Sequence, residues 1–268
     1  SWTAAMTSQT APKGLTAPRL SLESVNPRKV LVSWDAPAQP NGILQSYRLL
    51  KNDVLYPFSF DAATFNYTDE DLQPYSMYRY AVVACTMGGC STSEPAAIRT
   101  LEAAPALVDT PSLQAVSSTQ VNASWAPPQI QNGDITKYIL KLNNEEYYPG
   151  KNLQMLISNL QPYTQYDFEL VACTAGGCTS STVQSVTTME APPLNMEAPR
   201  LLVMGSESIE ITWKSPAKPN GKITSYELRR DDVLVYSGQE TRYLDFTLTP
   251  GMEYSYTVTA NNSQGSVT

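Results

Sequence analysis

Val30-Leu31-Val32-Ser33-Trp34-Asp35-Ala36-Pro37-Ala38-Gln39-Pro40-Asn41-Gly42-Ile43-Leu44-Gln45-Ser46-Tyr47 is the stretch on which the architecture turns. Val30, Val32 and Trp34 recur with period two and so share one face of a strand. Pro37, Pro40 and Asn41-Gly42 then break the chain, and Tyr47 with Leu49 resumes the alternation on a second strand. The whole pattern returns from Val121 to Tyr138 and from Ile209 to Tyr226. Trp34, Trp125 and Trp213 stand 91 and 88 residues apart, and Tyr47, Tyr138 and Tyr226 keep the same spacings. A fixed period of about ninety residues is the mark of tandem domains.

Further along each repeat, Leu72-Gln73-Pro74 with Tyr78 matches Leu160-Gln161-Pro162 with Tyr166, and Leu248-Thr249-Pro250 with Tyr254. Leu-x-Pro-x-x-x-Tyr reads as a tyrosine corner, a hydroxyl bonded to the backbone of the connection between sheets. Period-two alternation broken by regular turn signals points to antiparallel sandwiches rather than βαβ units. Trp on the second strand, Pro-x-x-Pro-Asn-Gly-x-Ile-x-x-Tyr and Leu-x-Pro-x-x-x-Tyr together resemble fibronectin type III domains. That resemblance implies an all-β chain of immunoglobulin-like sandwiches in an elongated array. The second repeat departs at Ile130-Gln131-Asn132-Gly133, and the third at Pro250-Gly251-Met252.

The repeats set domains at 12–103, 104–191 and 192–268. Residues 1–11 match the ends of the first two repeats and read as the last strand of a preceding domain; the third repeat stops short of most of its last strand. With no signal peptide and no apolar run near the roughly 18 residues of a membrane span, the chain reads as cut from the interior of something longer. The connectors hold Pro105, Pro111, Pro192, Pro193 and Pro199, which argues for semi-rigid joints. Each sandwich would advance the chain by roughly 30 Å.

All four cysteines of the 268 residues lie in two hexads, Cys85-Thr86-Met87-Gly88-Gly89-Cys90 and Cys173-Thr174-Ala175-Gly176-Gly177-Cys178. Each follows an alternating apolar run, so each reads as a hairpin with a cysteine on either side of a Gly-Gly turn. This hexad is not a general feature of the type III fold. Directly opposed antiparallel residues lie about 4.5 to 5.5 Å apart at Cα, within disulfide range. The expected bridges are Cys85–Cys90 and Cys173–Cys178, outward-facing staples at the surface. Closing so short a loop contributes roughly 2 kcal/mol, and the third repeat has no cysteine at all. Zinc would need four ligands in one cluster and a catalytic thiol would need a base; neither presents itself. Disulfides imply an oxidising, extracellular compartment. The expected place is the cell surface or the secreted space, as part of the ectodomain of a larger membrane-anchored protein.

Other candidates are modest. Three Asn-x-Ser/Thr sequons are glycosylation candidates, at Asn66, Asn122 and Asn261. Tyr67 and Ala123 fall inward on the alternation, so Asn66 and Asn122 are expected to face solvent. Asn261 aligns with Cys85 and Cys173, so a glycan is expected there at the outward site where the other repeats carry a staple. Asp69-Glu70-Asp71 invites a calcium reading, but its counterpart Ile157-Ser158-Asn159 carries no acid, so it reads as a solvated connection. The chain has no histidine, 18 Lys and Arg against 25 Asp and Glu, and no basic cluster. Nucleic acid and anionic membrane are therefore poor partners, and catalytic, metal and cofactor roles find no residues. The function expected is a non-enzymatic structural or adhesive segment. Its partners would be the neighbouring domains and other extracellular adhesion or matrix proteins. The competing reading is a ligand- or receptor-binding segment working through the hairpin tips or an exposed sheet face.

Overall fold

The computed structural model describes residues 2–268; Ser1, at the head of the expected leading strand, lies outside the described residues. Every regular element among them is a β-strand. Contacts divide the chain into two compact units. One is Ser1–Val108 with Pro127–Tyr138 and Val171–Ser180; the other is Asp109–Ala126 with Ile139–Leu170 and Ser181–Thr268.

The first repeat, in the first unit, runs β1 (Arg19–Leu22), β2 (Val30–Ser33), β3 (Leu44–Lys51), β4 (Val54–Leu55), β5 (Phe60–Asp61), β6 (Asn66–Asp69), β7 (Met77–Thr86), β8 (Gly89–Thr92) and β9 (Ala96–Arg99). Three strands in the order β1-β2-β6 form one sheet; β4-β3-β7-β8 form the other, with β5 on β3 and β9 on β7. All ladders are antiparallel. Alternation along β2, β3 and β7 sends Val30, Val32, Tyr47, Leu49, Tyr80, Val82 and Ala84 into one core with Trp34 and Leu72. The Trp34 ring lies 5.8 Å from that of Tyr47.

The second repeat runs β10 (Ser112–Ser117), β11 (Gln120–Ser124), β12 (Lys137–Leu142), β13 (Glu145–Gly150), β14 (Gln154–Ile157), β15 (Gln165–Thr174), β16 (Gly177–Ser180) and β17 (Gln184–Thr187). Its sheets are β10-β11-β14 and β13-β12-β15-β16 with β17 on β15. Val121, Ala123, Trp125, Tyr138, Leu140, Ile157, Leu160, Phe168 and Leu170 are buried.

The third repeat, in the second unit, runs β18 (Arg200–Gly205), β19 (Ser208–Thr212), β20 (Ser225–Arg230), β21 (Val233–Gly238), β22 (Arg242–Asp245), β23 (Tyr256–Asn262) and β24 (Gly265–Val267). Its sheets are β18-β19-β22 and β21-β20-β23-β24, closed on Ile211, Trp213, Tyr226, Leu228, Tyr256 and Val258. Leu248 is buried as well.

Two devices recur in all three repeats. Gln73 N donates to Tyr78 Oη at 2.9 Å, Gln161 N to Tyr166 Oη at 2.8 Å and Thr249 N to Tyr254 Oη at 2.9 Å. These are the tyrosine corners, and their rings are half-buried rather than enclosed. The turns after β3, β12 and β20 are Asn52-Asp53, Asn143-Asn144 and Asp231-Asp232, all at positive φ. That is the two-residue geometry whose twist matches paired strands. The first residue of each also accepts a backbone N–H from Arg79, Asp167 or Ser255.

Among the described residues, 2–11 form no strand within this chain, and Gln9 to Ala11 are bonded to the first repeat's own turns, as described below. One expectation is corrected. Asp69 is not solvated: it is 4% exposed, takes the Tyr80 hydroxyl at 2.5 Å and pairs with Lys51 at 2.9 Å. In the third repeat Asp245 does the same with Tyr256 and Arg230. Ile157 and Phe168, both fully buried, stand at the corresponding strand positions of the second repeat.

Candidate functional site: the hairpin tip and its connector

The two hexads close hairpins in which Met87-Gly88 and Ala175-Gly176 are the turn residues, between the pairs Thr86↔Gly89 and Thr174↔Gly177. One step back, Cys85 faces Cys90 and Cys173 faces Cys178, and both pairs are disulfide-bonded, with Cα atoms 4.1 Å apart. Cys90 and Cys178 are exposed, but Cys173 is only 2% exposed. The second staple is thus half interior, a correction to the surface placement. In the third repeat Asn261 opposes Ser266 at the staple's position and Asn262 opposes Gly265.

The residue after the first cysteine does the work that the sequence did not reveal. Thr86 Oγ1 donates to the carbonyl of Thr10 at 2.8 Å and Thr174 Oγ1 to that of Ala103 at 2.7 Å. Asn262 Nδ2 reaches Ala191 O at 2.7 Å. Each acceptor lies in the connector that precedes its own repeat. The Asn-Gly turns hold the same connectors from the other side. Asn41 Nδ2 donates to Ala11 O at 3.0 Å, Asn132 Nδ2 to Ala104 O at 2.9 Å and Asn220 Nδ2 to Pro192 O at 2.8 Å. Backbone bonds join them, from Thr10, Ala103 and Ala191 N–H to the carbonyls of Asn41, Asn132 and Asn220. Short two-residue ladders follow at Lys13↔Gln39, Ala106↔Ile130 and Leu194↔Lys218.

A carboxylate or amide side chain completes each dock. Gln9 Oε1 accepts from Ile43 N at 3.2 Å, Glu102 Oε2 from Ala175 N at 2.9 Å and Glu190 Oε1 from Lys222 N at 2.9 Å. The Lys222 N–H, with the Ser263 hydroxyl also on Glu190, holds that carboxyl below the usual glutamate range. The Gly-Gly pair divides two tasks. A Cβ on Gly176 would lie 2.4 Å from the Glu102 carbonyl, so the first glycine lets the connector approach. Gly177 sits at φ 136°, where a side chain is strained.

On the preceding side the connectors are held equally close. Tyr75 N donates to Leu101 O, and Tyr163 N donates to Met189 O. Only Glu102 and Glu190 therefore separate the residue tied to one sandwich from the residue tied to the next. Within the first unit, Tyr75 also donates its hydroxyl to Asp134 at 2.6 Å while its ring lies 4.8 Å from the Arg99 guanidinium. Among the described residues no group of three or more Cys, Asp or Glu is placed to hold a metal, and no cysteine is free. Of the sequons, Asn66 is exposed on β6, Asn122 is half-buried on β11, and Asn261 is half-buried on β23 at the staple's position in the third repeat.

Comparison with known proteins fits this arrangement. The family model of the fibronectin type III domain matches residues 11–99, 104–188 and 192–268, leaving no stretch for a catalytic domain. Human usherin is 62% identical over the whole chain and mouse usherin 54%, and the chain spans 5% of each. Human neogenin is 27% identical over 93% of this chain, which spans 19% of that protein. These relatives and the repeats make the chain an extracellular segment of structural or adhesive type, all-β throughout. It belongs to the fibronectin type III domain family.

Proposed function

We propose that this segment is a semi-rigid spacer in a large cell-surface or matrix protein, setting distance and direction between its neighbours. The observation that carries the reading is that one residue at each connector, Glu102 or Glu190, separates the backbone bonds made to the two sandwiches. One residue spans at most about 3.6 Å, so little bending slack remains. The hairpin tips, whose glycines face connectors, serve this joint before they serve any outside ligand.

The domains are taken as 12–103, 104–191 and 192–268, with each preceding connector docked onto the domain that follows. The resemblance to usherin implies a place in links at inner-ear stereocilia and near the photoreceptor cilium, serving hearing and vision. Other extracellular adhesion or matrix proteins are the partner class. Small-angle scattering tests the spacer. An extended profile that broadens when three flexible residues are inserted beside Glu102 and Glu190 supports it. A compact profile, or one indifferent to the insertions, refutes it.

A further inference from the structure

The sequons are the one motif that the spacer reading leaves unused, and the fold sorts them by face. Asn66 sits in register with Ser33, and Thr68 with Leu31, on the outward side of the three-stranded sheet of the first repeat. Asn122 lies between Gln114 and Leu156, and Ser124 between Ser112 and Gln154, on the outward side of the matching sheet in the second repeat. In both, the middle residue, Tyr67 or Ala123, is turned toward the core, because strand side chains alternate. Asn and its hydroxyl partner therefore share the solvent side. Leu156, the cross-strand neighbour of Asn122, and nearby Leu153 are about half exposed and offer an apolar rim for a first sugar ring.

Asn261 differs in its sheet and in its hydrogen bonds. It stands on the four-stranded sheet, with its amide on Ser225 Oγ at 3.3 Å. The middle residue Asn262 is buried in the connector clamp, and the Ser263 hydroxyl is held by Glu190.

We propose that Asn66 and Asn122 carry N-linked oligosaccharides, that the three-stranded-sheet face of the first two repeats is thereby sugar-covered, and that Asn261 is left bare. In the transfer, the Asn Nδ2 bonds to the anomeric carbon of an oligosaccharide carried on a lipid pyrophosphate. The bond from that carbon to the pyrophosphate oxygen breaks, the lipid pyrophosphate leaves with the electron pair, and one amide proton passes to a base of the transferase. The stapled four-stranded faces stay open to protein contact. The inference uses the extracellular placement but not the stiffness of the joints.

The chain, secreted from mammalian cells, is digested and treated with peptide N-glycosidase in heavy-oxygen water, then read by mass spectrometry. Conversion of Asn66 and Asn122 to heavy-labelled Asp, with Asn261 unchanged, is the result expected. Thr68→Ala and Ser124→Ala each abolish conversion at their own site alone while secretion persists. An unconverted Asn66 or Asn122 in secreted, disulfide-bonded protein overturns the inference and leaves the extracellular reading standing. Conversion at Asn261 overturns its exclusion. Four free thiols on the secreted chain would instead count against the extracellular reading itself.

Discussion

Replacing Asp69 alone and replacing the whole Lys51, Asp69, Tyr80 group have opposite outcomes. Asp69 Oδ2 holds both Tyr80 Oη at 2.5 Å and Lys51 Nζ at 2.9 Å. Its carboxylate is 4% exposed, while about a third of the Lys51 side chain reaches solvent. Asp69→Ala leaves a buried hydroxyl without an acceptor and an ammonium without a counter-charge. Breaking such a pair costs about 3–5 kcal/mol, and access of Lys51 to water sets the expectation near about 3. At 4–8 °C per kcal/mol for a domain of this size, the first repeat should melt roughly 12–24 °C lower. The second repeat supplies the apolar alternative, with Leu142, Ile157 and Phe168 at the three positions. The triple change Lys51→Leu, Asp69→Ile, Tyr80→Phe should therefore be neutral or stabilise by about 1–4 kcal/mol, as buried ion pairs often do when replaced as a set. Calorimetry of the whole chain, with hydrogen exchange at Val82 and Ala84 to assign the transition, reads both. The reasoning is refuted if the single change moves that transition by less than about 0.5 kcal/mol, within ordinary surface noise, or if the triple change costs as much as the single.

Alkaline solution should separate the repeats. Burial, followed by the hydrogen bond to Asp69 or Asp245, raises the Tyr80 and Tyr256 hydroxyls well above the ordinary phenol range. Their contribution is complete below about pH 10 and lost as pH climbs beyond it. Phe168 has no such group, so unfolding scans between neutral and strongly basic pH should show the second repeat least affected. Thr174→Val removes the hydroxyl bond to Ala103 O and should cost about 1 kcal/mol locally, seen as faster exchange of the Ala103 amide with the sandwich intact. Cys173→Ser with Cys178→Ser should lower the second repeat by about 2 kcal/mol without unfolding it, read by denaturant titration. The Lys222 amide resonance should titrate with the Glu190 carboxyl at a pH below that of a free glutamate; its bond persists above that range and is lost as acid protonates the group. An unshifted midpoint would remove the carboxylate from the dock.

The parts legible in the sequence are those written in local periodicity. Alternation around Trp34, Trp125 and Trp213 marks the inner faces, and Leu-x-Pro-x-x-x-Tyr announces a bond between residues five apart. The hexads drew attention through their cysteines, whose bonding partners are also close in sequence. What escaped depends on distant neighbours. Thr86 and Thr174 look like turn residues until the fold brings Thr10 and Ala103, more than seventy residues earlier, against their hydroxyls. Asp69 looks like one of three surface acids because its partners come from β3 and β7. Cys173 follows the outward alternation, yet it is buried in the folded repeat. The apparent strand at residues 4–7 carries the right residues, but its pairing cannot be read from them.

Because each connector is docked on the sandwich after it, the natural unit of this array is offset from the sandwich itself. Glu102 and Ala103 belong structurally with Asn132 and Thr174, and Glu190 and Ala191 with Asn220 and Asn262. A deletion running from Glu102 through Met189 would therefore remove a sandwich together with the connector fitted to it. It would present Glu190-Ala191 to Leu101, restoring the junction sequence that each neighbour already accommodates. Shifting the same cut by a handful of residues toward the C-terminus would leave the third repeat facing a connector shaped for the second. Shortening the array is thus a question of phase as much as of length.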